Sequence, residues 1–185
     1  MAENMEKMGE LIEEGIEINN KDNLNNQTPL HWAALKGKLR SAKYLLEEGA
    51  NLEEKDVDGY TPFLHAVQNG RNLMAHFLVQ KGANKEILDS KGHSALHWAA
   101  YQNHLSIIRY LLKDGFEIDK LDKENKSALH WAAWKGNFSI VKCLLENGCE
   151  KHLKDSFGKT PFQLAKDKGK NKISYKKKML TKKKC

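Results

Sequence analysis

The sequence predicts an all-α repeat solenoid, and three observations lead to that class. The phrase at 28–34 recurs along the chain at a fixed interval of 33 residues. Each copy opens with a hydroxyl residue, at positions 28, 61, 94, 127 and 160. Glycines recur at the same interval, at positions 49, 82, 115 and 148. A unit this short cannot bury a core by itself, so successive units must stack on one another.

The recurring phrase predicts the first of two short helices in each repeat. Thr28 is a natural N-cap, and Pro29 suits the first helical position because the N–H that it lacks would have no partner there. Leu30 and two alanines supply an apolar face, and Gly37 ends the helix.

A second helix begins at about Leu39 and ends before Gly49. Its apolar stripe consists of Leu39, Ala42, Leu45 and Leu46. Burial of each such leucine contributes roughly 2 kcal/mol. The segment 50–60 predicts an extended arm with a tight turn. One aspartate stands near each tip and is expected to fix the turn by bonding local backbone: Asp56, Asp89, Asp122 and Asp155.

The second repeat departs from the pattern. Asn72 takes a leucine position, and Leu64-His65 replaces the His-Trp pair of the other copies. We therefore expect looser packing in this repeat.

The period divides the chain into seven segments. They are an N-terminal partial or capping repeat (1–26), four full repeats (27–59, 60–92, 93–125 and 126–158), a degenerate C-terminal capping repeat (159–175) and a basic tail (176–185).

Composition is ordinary for a soluble protein, but charge is unevenly spread. The net charge is +7, while residues 166–185 hold ten lysines and one acid, which leaves −2 for the rest. No apolar run approaches the roughly 18 residues of a spanning helix, and the start lacks the features of a signal peptide. Three cysteines without disulfide spacing fit a reducing compartment. These features predict the cytoplasm or the nucleus.

No pattern supports catalysis, a cofactor or a bound metal. Cys143, Cys149 and His152 do not form a closed zinc set, and there is no CxxC pair. Cys143 and Cys149 instead fall in apolar positions of the repeat. There is no glycine-rich phosphate loop and no GxSxG turn. The sequence therefore predicts a protein that is not an enzyme.

The repeated phrase resembles that of the ankyrin repeat family, which is Thr-Pro-Leu-His followed by an apolar residue and two alanines. The resemblance covers about residues 10–175. It implies helix pairs with β-hairpin fingers, stacked around a concave face. It also implies that the histidines of the phrase (His31, His97 and His130) are structural and orient backbone between repeats.

In this family the two positions after the paired alanines face the groove. Here they hold Leu35-Lys36, Gln68-Asn69, Tyr101-Gln102 and Trp134-Lys135. Large aromatic side chains on an exposed surface are typical of binding hot spots. We therefore expect Tyr101 and Trp134 to bind a partner; the alternative is that both rings fill core against the adjacent helix.

The other candidate residues follow the same resemblance. Trp32, Trp98 and Trp131 stand where the family more often has leucine, so they either extend the binding surface or lie partly buried between repeats. Further candidates are two amides that would read a partner's backbone or side-chain amide (Asn69 and Gln102) and two lysines that would favour an acidic partner (Lys36 and Lys135).

The Leu-His-Trp-Ala variant is similar to the ankyrin domain of DHHC-type protein S-acyltransferases. In some of these an Asn of one repeat and the Trp of the next form a pocket for short linear peptides. Asn69 and Trp98 match those positions, and Gln102 and Trp131 match less well. The cysteine-rich core and membrane helices of those enzymes are absent from this chain.

The predicted function is a monomeric protein–protein interaction module, without a cofactor, that binds a partner protein or linear peptide in the concave groove. The alternative is the substrate-recruiting or regulatory region of a DHHC-type S-acyltransferase, truncated before its membrane part. The lysines within Lys176–Lys184 indicate a solvated end, contact with nucleic acid or contact with an acidic membrane. Cys185 beside them could accept a reversible acyl chain.

Overall fold

The computed structural model of the chain describes residues 17–169, which fall into two compact units divided between Ser90 and Lys91. Every regular element in that range is an α-helix. The predicted tail with Cys185, and most of the predicted N-terminal repeat, lie outside the described residues. The repeat boundaries stay a prediction.

The first unit contains two helix pairs. The first pair is α1 (Pro29–Lys36) and α2 (Leu39–Glu47), and the second is α3 (Pro62–Gln68) and α4 (Asn72–Gln80). The helices of each pair pack on each other, and the pairs stack because α1 contacts α3 and α2 contacts α4. The buried side chains that join them include Leu30, Leu45, Phe63, Met74 and Leu78.

The second unit repeats this arrangement. Its helices are α5 (Ala95–Gln102), α6 (Leu105–Lys113), α7 (Ala128–Lys135), α8 (Phe138–Glu146) and α9 (Pro161–Asp167). α5 packs on α6 and α7, α7 packs on α8 and α9, and α6 packs on α8. The predicted all-α helix-pair repeat fold is confirmed.

The N-caps predicted from the phrase are confirmed, and the histidine of the phrase takes part in them. The Nδ1 atom of His31 accepts the backbone N–H of Thr28 at 3.1 Å and its hydroxyl at 2.8 Å. His97 and His130 make the same contacts with Ser94 and Ser127. Each histidine thereby satisfies one of the donors that a helix start leaves unpaired.

The other ring nitrogen of each histidine bonds to the segment that follows the helix pair and leads to the next first helix, here called the finger. Because Nδ1 accepts from a backbone N–H, the proton sits on Nε2, which donates to a carbonyl 29 residues on. The acceptors are Tyr60 O at 3.0 Å from His31, Lys126 O at 2.8 Å from His97 and Lys159 O at 3.2 Å from His130. The implied structural role of these histidines is thus visible in the contacts that they make.

A second recurring contact joins one helix pair to the next. Arg71 Nε donates to Leu35 O at 3.0 Å, at the C-terminal end of α1. Asn137 Nδ2, 66 positions later, donates to Ala100 O at 2.7 Å and to Tyr101 O at 3.0 Å, at the end of α5. Both side chains occupy the same repeat position, just before a second helix, and both satisfy carbonyls that have no partner within the helix.

The fingers are turns, and the expected β-hairpin is not confirmed, since no strand is assigned between residues 17 and 169. One backbone bond and an aspartate side chain close three of these turns, as where Asp56 N–H donates to Tyr60 O at 3.0 Å. Asp56 Oδ1 accepts the N–H groups of Asp58 at 3.0 Å and Tyr60 at 2.8 Å, and Asp122 and Asp155 make equivalent pairs of bonds. The expectation that these aspartates fix the turns is confirmed for the three.

Gly59 is required in the first of these turns, because a Cβ at this position would lie 2.7 Å from the Ser90 nitrogen.

The second repeat is packed more closely than expected. The side chains of Phe63 and Leu64 in α3 are almost fully buried. His65 Nε2 donates to Asp56 Oδ2 at 2.8 Å, and Gln27 Nε2 donates to the same oxygen at 3.3 Å. All three polar side chains are buried, and their mutual bonds replace part of the water that they lose, while His65 Nδ1 has no partner in the described part of the chain. The irregular His65 of this repeat therefore joins Gln27 and Asp56 of the preceding repeat in a polar network.

We expect the free energy of unfolding to fall as the pH drops below about 6.5, the ordinary pKa of histidine. Burial lowers the pKa of His31 and of His130 in the folded chain. The unfolded chain therefore takes up protons first, and the stability that these residues contribute is present above pH 6.5 and is lost towards their folded-state pKa values. Urea unfolding from pH 8 to pH 5 measures this.

Gln163 provides the matched control for this prediction. It occupies the histidine position of the last repeat, and its Oε1 accepts the Thr160 N–H at 2.8 Å without titrating. A His31→Gln/His130→Gln variant should be less stable at pH 8 and show a shallower decline on acidification. An unchanged decline in that variant would contradict the assignment.

Candidate functional site

In the second unit, aromatic side chains of α5 and α7 meet in one group, here called the aromatic cluster: His93, Trp98, Tyr101, Trp131 and Trp134. Tyr101 lies at its centre, with ring centroids 5.9 Å from Trp98, 5.2 Å from Trp131 and 6.1 Å from Trp134. The Tyr101 and Trp134 rings are nearly parallel, whereas the other two contacts are edge-to-face. Both geometries are favourable for aromatic pairs.

His93 completes the cluster from the preceding loop. Its ring meets Trp98 edge-on at 5.3 Å and Trp131 edge-on at 5.1 Å. Its Nε2 also lies 3.7 Å from Asp122 Oδ2. His93 was not among the site residues predicted from the sequence, although its position directly before the repeated phrase was a usable signal.

The four other members of the cluster are half-buried. Part of each ring packs against its neighbours and part reaches solvent, so Tyr101 and Trp134 are neither sealed in the core nor fully exposed. The rings thus pack against one another and keep some exposed area, and a binding role for Tyr101 and Trp134 stays a prediction. The candidate Gln102 lies beside them, exposed, at the last position of α5.

Lysine side chains lie against the rings of the cluster. Lys135 Nζ, one of the predicted binding residues, lies 4.0 Å from the Tyr101 ring centroid, and Lys168 Nζ lies 5.1 Å from that of Trp134. Lys126 Nζ lies 5.7 Å from the Trp131 ring. A cation over a ring face is attracted by about 0.5–1 kcal/mol at an exposed site. The surface that results is aromatic with a positive rim.

Two tryptophan indoles are held by aspartates. Trp131 Nε1 donates to the finger aspartate Asp122 at Oδ2, at 2.9 Å, and Trp32 Nε1 donates to Asp22 Oδ2 at 3.0 Å. Asp122 is buried, whereas Trp32 is 45% exposed. The pKa of Asp22 is lowered chiefly by the Asn25 N–H, with a smaller contribution from Trp32. The sequence predicted only a turn role for Asp122 and made no prediction for Asp22.

The first unit holds the other three candidates. Trp32 and Lys36 are exposed on α1. Asn69 caps α3, where its Nδ2 donates to His65 O at 2.9 Å, so this amide is engaged with its own helix. The predicted pairing of Asn69 with Trp98 joins residues of different units and stays a prediction. Within the second unit, the structure gathers Trp98, Tyr101, Trp131, Trp134 and Lys135.

Between residues 17 and 169, no three His, Cys, Asp or Glu side chains are placed to hold a metal ion. Within the same range no helix is long and apolar enough to cross a bilayer. Cys149 is buried and Cys143 is half-buried, so the core assignment holds for the first and only in part for the second.

The period, the helix pairs and the capped first helices define a repeat protein in which a constant backbone displays variable side chains. The sequence profile of ankyrin repeats, a model of three copies, matches residues 1–89 and 74–155. The chain therefore belongs to the ankyrin repeat family. Proteins of this family use their repeats as interaction modules, and the fold is typically a non-enzymatic binding module.

Relatives with known names match over one short stretch. Arf-GAP with coiled-coil, ANK repeat and PH domain-containing protein 2 of Rattus norvegicus is 40% identical over 57 residues, and that of Mus musculus is equally similar. The match covers 30% of this chain but only 7% of each relative's length. These proteins share a repeat segment with the chain.

We expect Trp131→Phe to destabilise the protein more than Trp32→Phe. Both changes remove an indole N–H from an aspartate, but Asp122 is buried and the Asp22–Trp32 pair is near solvent, where water can replace the lost donor. An unsatisfied buried acceptor costs about 1–3 kcal/mol, whereas the exposed bond should be worth less than about 1 kcal/mol. Chemical unfolding of the two variants measures the difference. Equal losses would show that the buried bond contributes nothing beyond packing.

Proposed function

We propose that this chain binds a partner protein or a linear peptide through the aromatic cluster of α5 and α7. The observation that carries the proposal is the half-buried Tyr101, stacked on Trp134 and flanked by two further indoles. Aromatic side chains that are buried only in part keep apolar area available to a partner, and such residues dominate the energetics of interfaces.

The contacts within the cluster favour binding because they order it in advance. A side chain that is already held by its neighbours loses little freedom when a partner arrives, and each immobilised side chain otherwise costs about 0.5–1.5 kcal/mol. Trp131 is held by the bond to Asp122, and Tyr101 lies between three rings and Lys135. The cluster is thus a preorganised surface rather than a set of mobile side chains.

The charge beside the rings indicates the chemistry of the partner. Lys135 and Lys168 place ammonium groups near the Tyr101 and Trp134 rings. A partner with carboxylates next to an apolar or aromatic residue would complement both features, and the charges would mainly speed association and fix orientation. Gln102 is exposed at the edge of this surface and would bond to the partner's backbone.

The S-acyltransferase alternative stays a prediction, and the Leu-His-Trp-Ala phrase is what supports it. Its test is whether the coding sequence runs on past Cys185 into apolar segments and an Asp-His-His-Cys box.

We expect a Tyr101→Ala/Trp134→Ala variant to lose most of the proteins that the wild type captures from a cell extract, because truncation removes the central stacked pair. Quantitative mass spectrometry of the captured proteins measures the loss. Leu24→Ala/Leu73→Ala is the matched control, since these leucines are 86% and 74% exposed and belong to neither α5 nor α7. It should capture what the wild type does.

Two further measurements make the result decisive. Thermal unfolding establishes that the double variant is folded at the capture temperature. Lys135→Glu keeps every ring in place and should weaken the same interactions by reversing the charge next to Tyr101. If the folded double variant captures the same proteins as the wild type, the aromatic cluster is not the binding surface.

A further inference from the structure

Two of the finger aspartates, Asp56 and Asp122, each accept a hydrogen bond from the ring N–H of an aromatic side chain. Asp122 Oδ2 accepts from Trp131, nine positions later, and Asp56 Oδ2 accepts from His65, also nine positions later. Asp22, which precedes the first full repeat, accepts from Trp32, ten positions later. In the last repeat, the position nine residues after Asp155 holds Leu164, which has no donor.

Asp155 is therefore left with one unused acceptor. Its Oδ1 closes the finger turn, accepting the N–H groups of Phe157 at 3.0 Å and Lys159 at 2.8 Å. Its Oδ2 is buried and has no hydrogen-bond partner in the described part of the chain, and the residue as a whole is only 4% exposed. A buried acceptor of this kind costs free energy until a donor reaches it.

A cavity of about 440 Å³ lies where the missing ring would be. Its walls are Trp131, Trp134, Phe157 and Leu164, and Asp155 lines it as well. The equivalent space one repeat earlier is bordered by His97, Trp98 and Tyr101, and there the Trp131 ring, at the position of Leu164, leaves a volume of about 0 Å³. The change from Trp131 to Leu164 removes the indole that fills the closed position, and the lining differs also at His93 and Tyr101, which correspond to Lys126 and Trp134 in the open cavity.

The lining defines the ligand that would fit. Aromatic and aliphatic walls around one carboxylate oxygen suit a flat apolar group with a single N–H donor. The Lys126 and Lys159 side chains also line the cavity, and each is ion-paired with an acid, Glu124 and Asp167 respectively. An indole has the required shape and donor, and Trp131 already fills the equivalent space with the same group.

We propose that this cavity binds the indole of a tryptophan in the partner's segment, with its N–H donated to Asp155 Oδ2. The inference rests on the proposed function only in naming a partner's tryptophan as the source of the indole. The cavity and its unused acceptor do not depend on that function. Free indole tests the cavity without any partner, so its failure is distinguishable from a failure of the aromatic cluster in capture experiments.

The test is an NMR titration of the full chain with indole and with 1-methylindole, which has the same rings but no donor. Indole should shift the signals of residues around Leu164 and Asp155 in a saturable way. Removal of the donor should weaken binding about tenfold, the value of one hydrogen bond to a charged group. Equal binding of the two compounds, or no saturable binding of indole, overturns the proposal.

Two variants locate the binding. Leu164→Trp should fill the cavity from within, abolish indole binding and raise the thermal midpoint, because the new indole reaches Asp155. Asp155→Asn keeps an oxygen for the finger turn but replaces the acceptor, so it should bind indole and 1-methylindole equally weakly. Leu164→Met is the matched control, since it adds no donor and little volume, and it should bind as the wild type does. Indole binding that persists in a folded Leu164→Trp variant overturns the assignment. If Leu164→Trp does not fold, Asp155→Asn tests the assignment instead, and unchanged discrimination between the two compounds in that variant overturns it.

Discussion

The hydrogen bond from the Nε2 atom of a repeated histidine to a carbonyl of the following finger is the constraint on which the other contacts depend. His31, His97 and His130 each fix the start of a first helix with one ring nitrogen and hold a finger with the other. Once the finger is held, its aspartate closes the turn with one carboxylate oxygen. The other carboxylate oxygen faces the first helix of the following repeat. The Trp131 indole is placed in this way, because His97 holds the finger that carries Asp122.

The sequence was sufficient for the helix pairs, their caps and the role of the finger aspartates in turns, because each depends on a local pattern repeated every 33 residues. It was not sufficient for the contacts between patterns. The network of Gln27, Asp56 and His65 joins residues up to 38 positions apart, and the pairing of Asp122 with Trp131 depends on a finger folding back on a helix. Half-burial of Tyr101 likewise depends on three neighbouring rings, which periodicity alone does not place.

The candidate site shows how a constant frame produces variable surfaces. Positions 98, 131 and 164 are equivalent, yet position 131 carries a tryptophan and position 164 a leucine, and the lining residues His93 and Tyr101 correspond to Lys126 and Trp134. At position 131 the space is closed and Asp122 is satisfied, whereas at position 164 there is a cavity and Asp155 has an unused acceptor. Recognition in such a protein can therefore change through a few side chains while the cap and turn residues remain the same.

The histidine bonds also bear on how a chain of this kind can grow. Their acceptors are main-chain oxygens, carried by residues as different as Tyr60, Lys126 and Lys159. Main-chain atoms are present whatever the side chain, so a newly duplicated unit would meet its neighbour with a matching donor and acceptor from the outset. Tandem lengthening of the gene by whole units needs no compensating substitution at the new junction, and later divergence of the displayed side chains leaves that junction intact.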